Sequence, residues 1–407
     1  MMTETGSKKR TVVAALVASL ASVCFLVPLV IVTMIYRQPD GQLSSNRNFT
    51  FAAADRENNA DTADLLKYAY VILTYHKSGH NLSHVLQRYL KEHTPSGSLK
   101  HKAAPPRTQL NASTGCIELS LEPGTITLIE APEFHCNEEQ LAELFMVNPS
   151  HEQSQLTSPK LGVKVIHLVR NPFSMAVSNY HYHSQSPTPE KFVHWKDPCS
   201  QERKGIPPVV DLVMPLLSDP VAGPIMTRDD FQNIVNGCYD IYQTRKGLTN
   251  ASYYQHLLAL HPREGLRLAT ADKFNHFALM ANDLIMLNKV KHLVRDRSLR
   301  NPWRCQEFDM IIMPMDDWIE QPGESMFKFL DFAFGDLIPD PKKGNLSNKY
   351  EKYFQKKRKR SLHITSGKHT DTAELMGYLR EDALFGGPLM RIESLLNEVL
   401  HLSTTQE

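Results

Sequence analysis

Two short stretches of this chain carry the residue types that hold an anion. "TYHKSGHNLS", Thr74 to Ser83, follows the apolar run "YAYVIL" and puts a lysine, a serine and a glycine on one turn, ahead of residues spaced as a helix. A strand-to-helix turn presents unpaired backbone N–H groups and the positive end of a helix dipole, and Lys77 adds a point charge. In "VRNPFSMAVS", Arg170 ends a second apolar run and Ser178 stands about two turns into the helix that follows. Arginine holds a phosphate through two parallel N–H bonds, and a serine hydroxyl can add a third. The pair of turns therefore points to two anionic groups some distance apart. The Walker loop G-x-x-x-x-G-K-[ST] is absent, which counts against an ATP or GTP hydrolase.

Such turns need strands before them and helices after them, and the spacing of apolar residues supplies both. "YAYVILTY" (Tyr68 to Tyr75), "TITLIE" (Thr125 to Glu130), "GVKVIHLV" (Gly162 to Val169) and "FDMIIMPM" (Phe308 to Met315) predict buried strands. "GHNLSHVLQRYLKEH" predicts a helix with Leu82, Val85, Leu86 and Leu90 on one side, and Pro172 suits the first turn of another. Residues 227–246, 273–294 and 324–334 are helical by the same test, the apolar residues of the second reading as core. Strands alternating with helices predict an α/β fold with a parallel sheet covered on both faces. Ligands of such sheets sit beyond the carboxyl ends of the strands.

The chain has 407 residues, 42% of them apolar, enough for a large core, and a net charge of +1, which implies no nucleic-acid partner from bulk charge. Residues 11–36 contain no charged residue and exceed the roughly 20 needed to cross a bilayer, so they read as a transmembrane anchor. "SKKR" precedes that segment, which leaves residues 1–10 as a cytosolic tail and the bulk of the chain lumenal, a single-pass type II arrangement. Residues 37–65 are polar and rich in Asn, Ala and Asp, a flexible stem, and residues 66–402 form the lumenal domain. Of six cysteines, Cys24 lies in the anchor; Cys116, Cys136, Cys199, Cys238 and Cys305 lie beyond it, where an oxidising lumen should pair some of them and an odd count leaves at least one free. Asn48, Asn81, Asn111, Asn250 and Asn345 begin glycosylation triplets, and a glycan on Asn81 would obstruct the first turn. With no C-x-x-C pair or H-E-x-x-H run, and no carboxylate or cysteine in the histidine-rich turn, no metal is expected.

These motifs together resemble the sulfotransferases that use 3′-phosphoadenosine-5′-phosphosulfate (PAPS), in particular the Golgi carbohydrate sulfotransferases. Their 5′-phosphosulfate loop reads T-Y-P-K-S-G-T-T, against "TYHKSGHN" here, and their 3′-phosphate motif is a strand, R-N-P and a later serine, against "VIHLVRNPFSMAVS". "DMIIMPMDDWIEQPGESMFKFLDFAFG" and "LHITSGKHTDTAELMGYLRE" are similar to the family's late strand–helix segment and its nucleotide-covering segment. The resemblance covers roughly residues 66–402 in order; it departs at His76, where the family has proline, and at His80 and Asn81, where it has hydroxyls.

What the resemblance implies is a single P-loop-like domain, preceded by one transmembrane helix, that transfers a sulfuryl group from PAPS as cosubstrate to a hydroxyl or amine of a glycan, glycoprotein or glycolipid acceptor in the Golgi lumen. His76, Lys77, Ser78, Gly79, His80 and Asn81 would hold the 5′ end of PAPS, Arg170 and Ser178 its 3′-phosphate, and Lys77 would act as the catalytic cation. The general base would be Glu130, then His135, then Glu133, around the strand end "LIEAPEFHC". The basic stretch Lys349 to His369 reads either as a solvated helix face or, by resemblance, as a nucleotide cover, with Lys368 its single most pointed candidate. His181, Tyr182 and His183 read as helix-end packing groups that could alternatively reach the acceptor. Two other readings stay open: a kinase-like nucleotide-dependent transferase, for which "MDD" at Met315 to Asp317 offers part of a metal-binding strand end, and an inactive lumenal nucleotide-binding protein.

Overall fold

The structure, a computed structural model, describes residues 67–75, 78–93, 99–103, 121–130, 138–145, 162–185, 251–300, 307–360 and 370–404, with residues 229 and 233. The chain divides into two units, residues 1–57 and 58–407, and the described residues all belong to the second. The apolar segment 11–36, the stem 37–65 and all six cysteines lie outside the described residues. Among the described residues no helix is long and apolar enough to cross a membrane.

Five strands form one parallel sheet: β1 (Tyr68–Thr74), β2 (Lys100–Ala103), β3 (Thr125–Glu130), β4 (Gly162–Val169) and β5 (Glu307–Pro314), in the order β2-β3-β1-β4-β5. The alternation of strands and helices predicted this architecture, and four strand spans coincide with or lie within a residue of the expected ones. The exception is β2, an edge strand reading "KHKA": it has no apolar alternation to announce it, and lysine on a sheet edge discourages further pairing.

The helices are α1 (His80–His93), α2 (Glu138–Leu144), α3 (Pro172–Ser184), α4 (Tyr253–Ala259), α5 (Pro262–Arg300), α6 (Met315–Glu320), α7 (Pro322–Phe334), α8 (Asp340–Arg360), α9 (Thr372–Glu381) and α10 (Gly386–Thr404). The helix expected over 273–294 is the middle of α5, which runs 39 residues. Only residues 229 and 233 of the helix expected over 227–246 are described, and both are helical.

Because successive strand residues face opposite sides, β1 divides its side chains between two layers. Tyr70 and Ile72, with Ile166 and Leu168 of β4, pack on Leu82, Leu86 and Leu90 of α1 and on Met326, Phe329 and Leu330 of α7. Ala69, Val71 and Leu73, with Val163 and Val165, pack on Leu141 and on Met286, Leu287 and Val290 of α5. A third apolar cluster joins α3, α4, α9, α10 and the first half of α5, and it includes Tyr75 and Val169 at the carboxyl edge of the sheet. The turns after β1 and β4 are thus floored by a packed core, which fixes where their backbones can go.

Candidate functional site

The sheet order sets the location. From β1 the chain runs to the edge strand β2, returns through β3 beside β1, and then crosses to β4 on the other side of β1. In an open parallel sheet such a reversal leaves a crevice beyond the carboxyl ends of the strands. Register places Thr74 of β1 beside Glu130 of β3, and Leu73 beside His167 of β4. Neighbouring strands lie about 4.8 Å apart, so the two anion-type turns sit side by side on one edge.

The first turn is held by its own serine. Ser78 is fully buried; its hydroxyl accepts from the Tyr75 N–H at 2.6 Å and donates to the Tyr75 carbonyl at 3.2 Å, while its own N–H donates to that carbonyl at 3.0 Å. Gly79 follows at φ +122, where residues with a Cβ seldom sit, and a Cβ there would lie 3.2 Å from Leu168 Cδ1 and 3.3 Å from Met315 Sδ. Those neighbours belong to β4 and α6, so the turn after β1 rests against the ends of β4 and β5. Gly79→Ala is expected to cost about 1–3 kcal/mol through backbone strain, with overpacking added, read as a lowered urea midpoint. Beyond Gly79, α1 opens with His80 and Asn81, both exposed. His76 and Lys77 lie outside the described residues, as do Glu133, His135 and Lys368.

His80 does not stand alone. Its Nδ1 pairs with Glu130 Oε1, and its ring meets that of His84 edge-on at 4.7 Å between centroids. No carboxylate stands in the histidine-rich turn itself; the fold brings one from β3, because Glu130 ends the strand next to β1. Sequence distance hid this contact.

The second turn is built differently. Asn171 is the N-cap of α3: its side-chain oxygen accepts from the N–H groups of Phe173 and Ser174, and Pro172 follows as expected at the first helical position. Those helix donors are therefore taken by the protein itself, and the cationic character of this turn comes from Arg170. Arg170 is buried, its Nε 3.3 Å from Asp316 Oδ1, while Asp316 Oδ2 accepts from the Asn171 N–H at 3.2 Å. Burial pulls the Arg170 guanidinium below its ordinary value, and the charge and hydrogen bond of Asp316 oppose that pull. Asp316 sits in the first turn of α6, where the helix dipole favours a carboxylate. Asn171 Nδ2 also donates to Glu393 of α10, which takes a two-pronged bond from Arg380 of α9 at 2.6 Å each. Arg380 keeps the Glu393 carboxyl below its usual range. Ser178, also buried, lies roughly 9 Å along α3 from Pro172 by helical rise.

Beneath both turns runs a buried hydrogen-bonded chain that sequence spacing gave no reason to expect. The Tyr75 hydroxyl donates to Asp283 Oδ2 of α5 at 2.6 Å and stands 3.0 Å from His167 Nε2. Since the hydroxyl proton goes to Asp283, Nε2 of His167 carries its own proton and donates to Tyr75, which leaves Nδ1 bare and without a hydrogen-bond partner. Burial pushes the His167 imidazole down to about 3, so it is neutral. Burial, reinforced by Asp283, raises the Tyr75 phenol well above its ordinary value. This chain pins residue 75, the last one before the lysine-bearing turn, to β4 and α5.

His181, Tyr182 and His183 are all buried; His181 Nε2 lies 3.2 Å from Asp371 Oδ1 and His183 packs edge-on against Tyr253. They are packing groups of α3. The structure thus brings Ser78, Gly79, His80, Asn81, Glu130 and Arg170 to one edge of the sheet and sets Ser178 further along α3. Comparison with protein-family models, curated proteins and solved structures finds no match to this chain.

Proposed function

We propose that the chain transfers a sulfuryl group from PAPS to a hydroxyl or amine of a lumenal acceptor, with a glycan the best-fitting class. The observation that carries this reading is the adjacency of two strand-to-helix turns at one sheet edge, one bearing K-S-G and the other Arg170. A nucleotide with anionic groups at both its 5′ and 3′ ends suits two such turns better than a nucleotide with one phosphate chain. On this reading the domain is P-loop-like, and residues 11–36 anchor it to the Golgi membrane.

The acceptor oxygen attacks sulfur in line; the bond between sulfur and the 5′-phosphate oxygen breaks, and that oxygen keeps the electron pair. The acceptor proton passes to a base, for which Glu130 is placed at the strand end beside the first turn. Lys77 balances the charge growing on the leaving oxygen. Ser78 and Gly79 shape the turn, while His80 and Asn81 begin the helix behind it. Arg170 holds the 3′-phosphate with Ser178, and Asp316 keeps the guanidinium oriented in its buried slot. The role of Asp316 toward Arg170 also accounts for the acidic "MDD" strand end without a metal-bound nucleotide.

The test is incubation of the purified full-length chain with radiolabelled PAPS and, separately, radiolabelled ATP with Mg²⁺, against a panel of glycans, glycoproteins, glycolipids and peptides. Label should move from PAPS to an acceptor. Arg170→Ala should raise the KM for PAPS about a hundredfold, the equivalent of roughly 3 kcal/mol for a two-pronged charged hydrogen bond, with a smaller change in kcat. Transfer from ATP would establish the kinase-like reading instead, and tight binding of 3′-phosphoadenosine-5′-phosphate without any transfer would establish an inactive nucleotide-binding protein.

A further inference from the structure

We propose that His80, His84 and Glu130 form a site for a single divalent transition metal of the Zn²⁺ class, at the mouth of the crevice. Each offers one ligand atom, and these atoms all lie within 4.8 Å of one another. Two of the three come from one helix face: His80 and His84 stand four positions apart on α1, the spacing that stacks side chains one turn apart and that helical zinc sites use. The third comes from β3, whose last residue, Glu130, is brought against the start of α1 by the pairing of β3 with β1.

The donor set fits the metal class. Two imidazoles and one carboxylate make a three-ligand set that leaves a fourth position for water or another group, and imidazole selects Zn²⁺, Cu²⁺ or Ni²⁺ over Mg²⁺ or Ca²⁺. Bonds of about 2.0–2.2 Å to a tetrahedral ion set neighbouring ligand atoms about 3.5 Å apart, so the present spacing closes by rotamer adjustment of exposed side chains. Little is lost in the exchange. The His80–Glu130 pair has side chains 51% and 47% exposed, and such solvated pairs contribute only about 0–1 kcal/mol. The site shares His80 and Glu130 with the proposed transfer, so a bound metal would take Glu130 out of the base role; the Zn²⁺ titration itself needs neither Arg170 nor Lys77 and reads the site without PAPS.

Zn²⁺ alone is the probe. Isothermal titration of the full-length chain should give a Zn²⁺ equivalent that weakens at least tenfold in His84→Ala and in Glu130→Gln. Co²⁺ substituted at the same site should give the intense visible bands of a four-coordinate ion, and these should vanish in both variants. His84 is exposed, so its replacement should leave the thermal midpoint unchanged and separate lost ligation from lost folding. Equal Zn²⁺ affinity and stoichiometry in the parent chain and His84→Ala would overturn the site, as would Co²⁺ bands that survive in either variant.

Discussion

Lys77→Ala is expected to lower kcat for sulfuryl transfer about a thousandfold while leaving the far-ultraviolet circular dichroism and the urea midpoint of the chain unchanged. The size follows from where charge develops. In the proposed in-line displacement, negative charge builds on the oxygen that leaves with the 5′-phosphate, and a preorganised donor at such an oxygen contributes roughly 10²–10³ in rate, more when it carries a full charge. Because this interaction strengthens only as the bond to sulfur breaks, its loss should appear in kcat and only weakly in the KM for PAPS. That split distinguishes Lys77 from Arg170, whose proposed contact with the non-reacting 3′-phosphate would be the same in ground and transition states and so should appear mainly in KM. Lys77→Arg should recover only part of the rate, since a planar guanidinium does not reproduce a compact ammonium. A Lys77→Ala chain that keeps a tenth or more of parental kcat would remove Lys77 from the chemistry and reduce the K-S-G turn to a structural one.

How much of this was legible in the sequence differs between elements for physical reasons. The buried strands β1, β3 and β4 declare themselves because a parallel sheet covered on both sides requires continuous apolar runs bounded by polar turns, and "YAYVILT", "TITLIE" and "GVKVIHLV" are such runs. The R-N-P turn is legible in part because its chemistry is local: proline at the first helical position announces the helix, while the Asn171 cap, acting within three residues, emerges from the fold. Illegible were the contacts made by tertiary closure. Asp316 reaches Arg170 across 146 positions, Asp283 reaches Tyr75 across 208, and Glu393 reaches Asn171 across 222, and no period in the chain encodes such pairings. Glu130 shows both sides of this. Its place at a strand end is visible in "TITLIE", but its pairing with His80 depends on β3 lying next to β1, which follows from the order of strands rather than from either segment.

The buried chain beneath the turns makes a second large prediction, that stability falls with acidification through His167. Folded, this imidazole has its affinity for protons pushed down to about 3; unfolded, it returns to its ordinary value near 6.5. Between those values the unfolded chain binds about one more proton than the folded one, so stability rises with pH there and is lost as pH falls from about 6.5 toward 3. The slope for one such group is about 1.4 kcal/mol per pH unit, which makes roughly 2 kcal/mol between pH 7 and pH 5 and about 4–5 kcal/mol over the whole window, comparable to much of the stability of an ordinary domain. The cause is geometric as well as dielectric. A second proton must go to Nδ1, which has no hydrogen-bond partner in its buried site, while Nε2 is already committed to Tyr75. His167→Gln keeps an N–H near the Nε2 position and removes the titration. Urea denaturation of both chains at pH 7 and pH 5 should show the parent losing about 2 kcal/mol more than His167→Gln across that interval. Parallel losses in the two chains would mean that His167 does not bear the acid sensitivity and that the neutral Tyr75–His167–Asp283 arrangement is wrong. If the difference appears, the loss lies in burying the imidazolium charge and an unpartnered Nδ1–H rather than in releasing Tyr75, because the Nε2–H bond to its hydroxyl survives protonation.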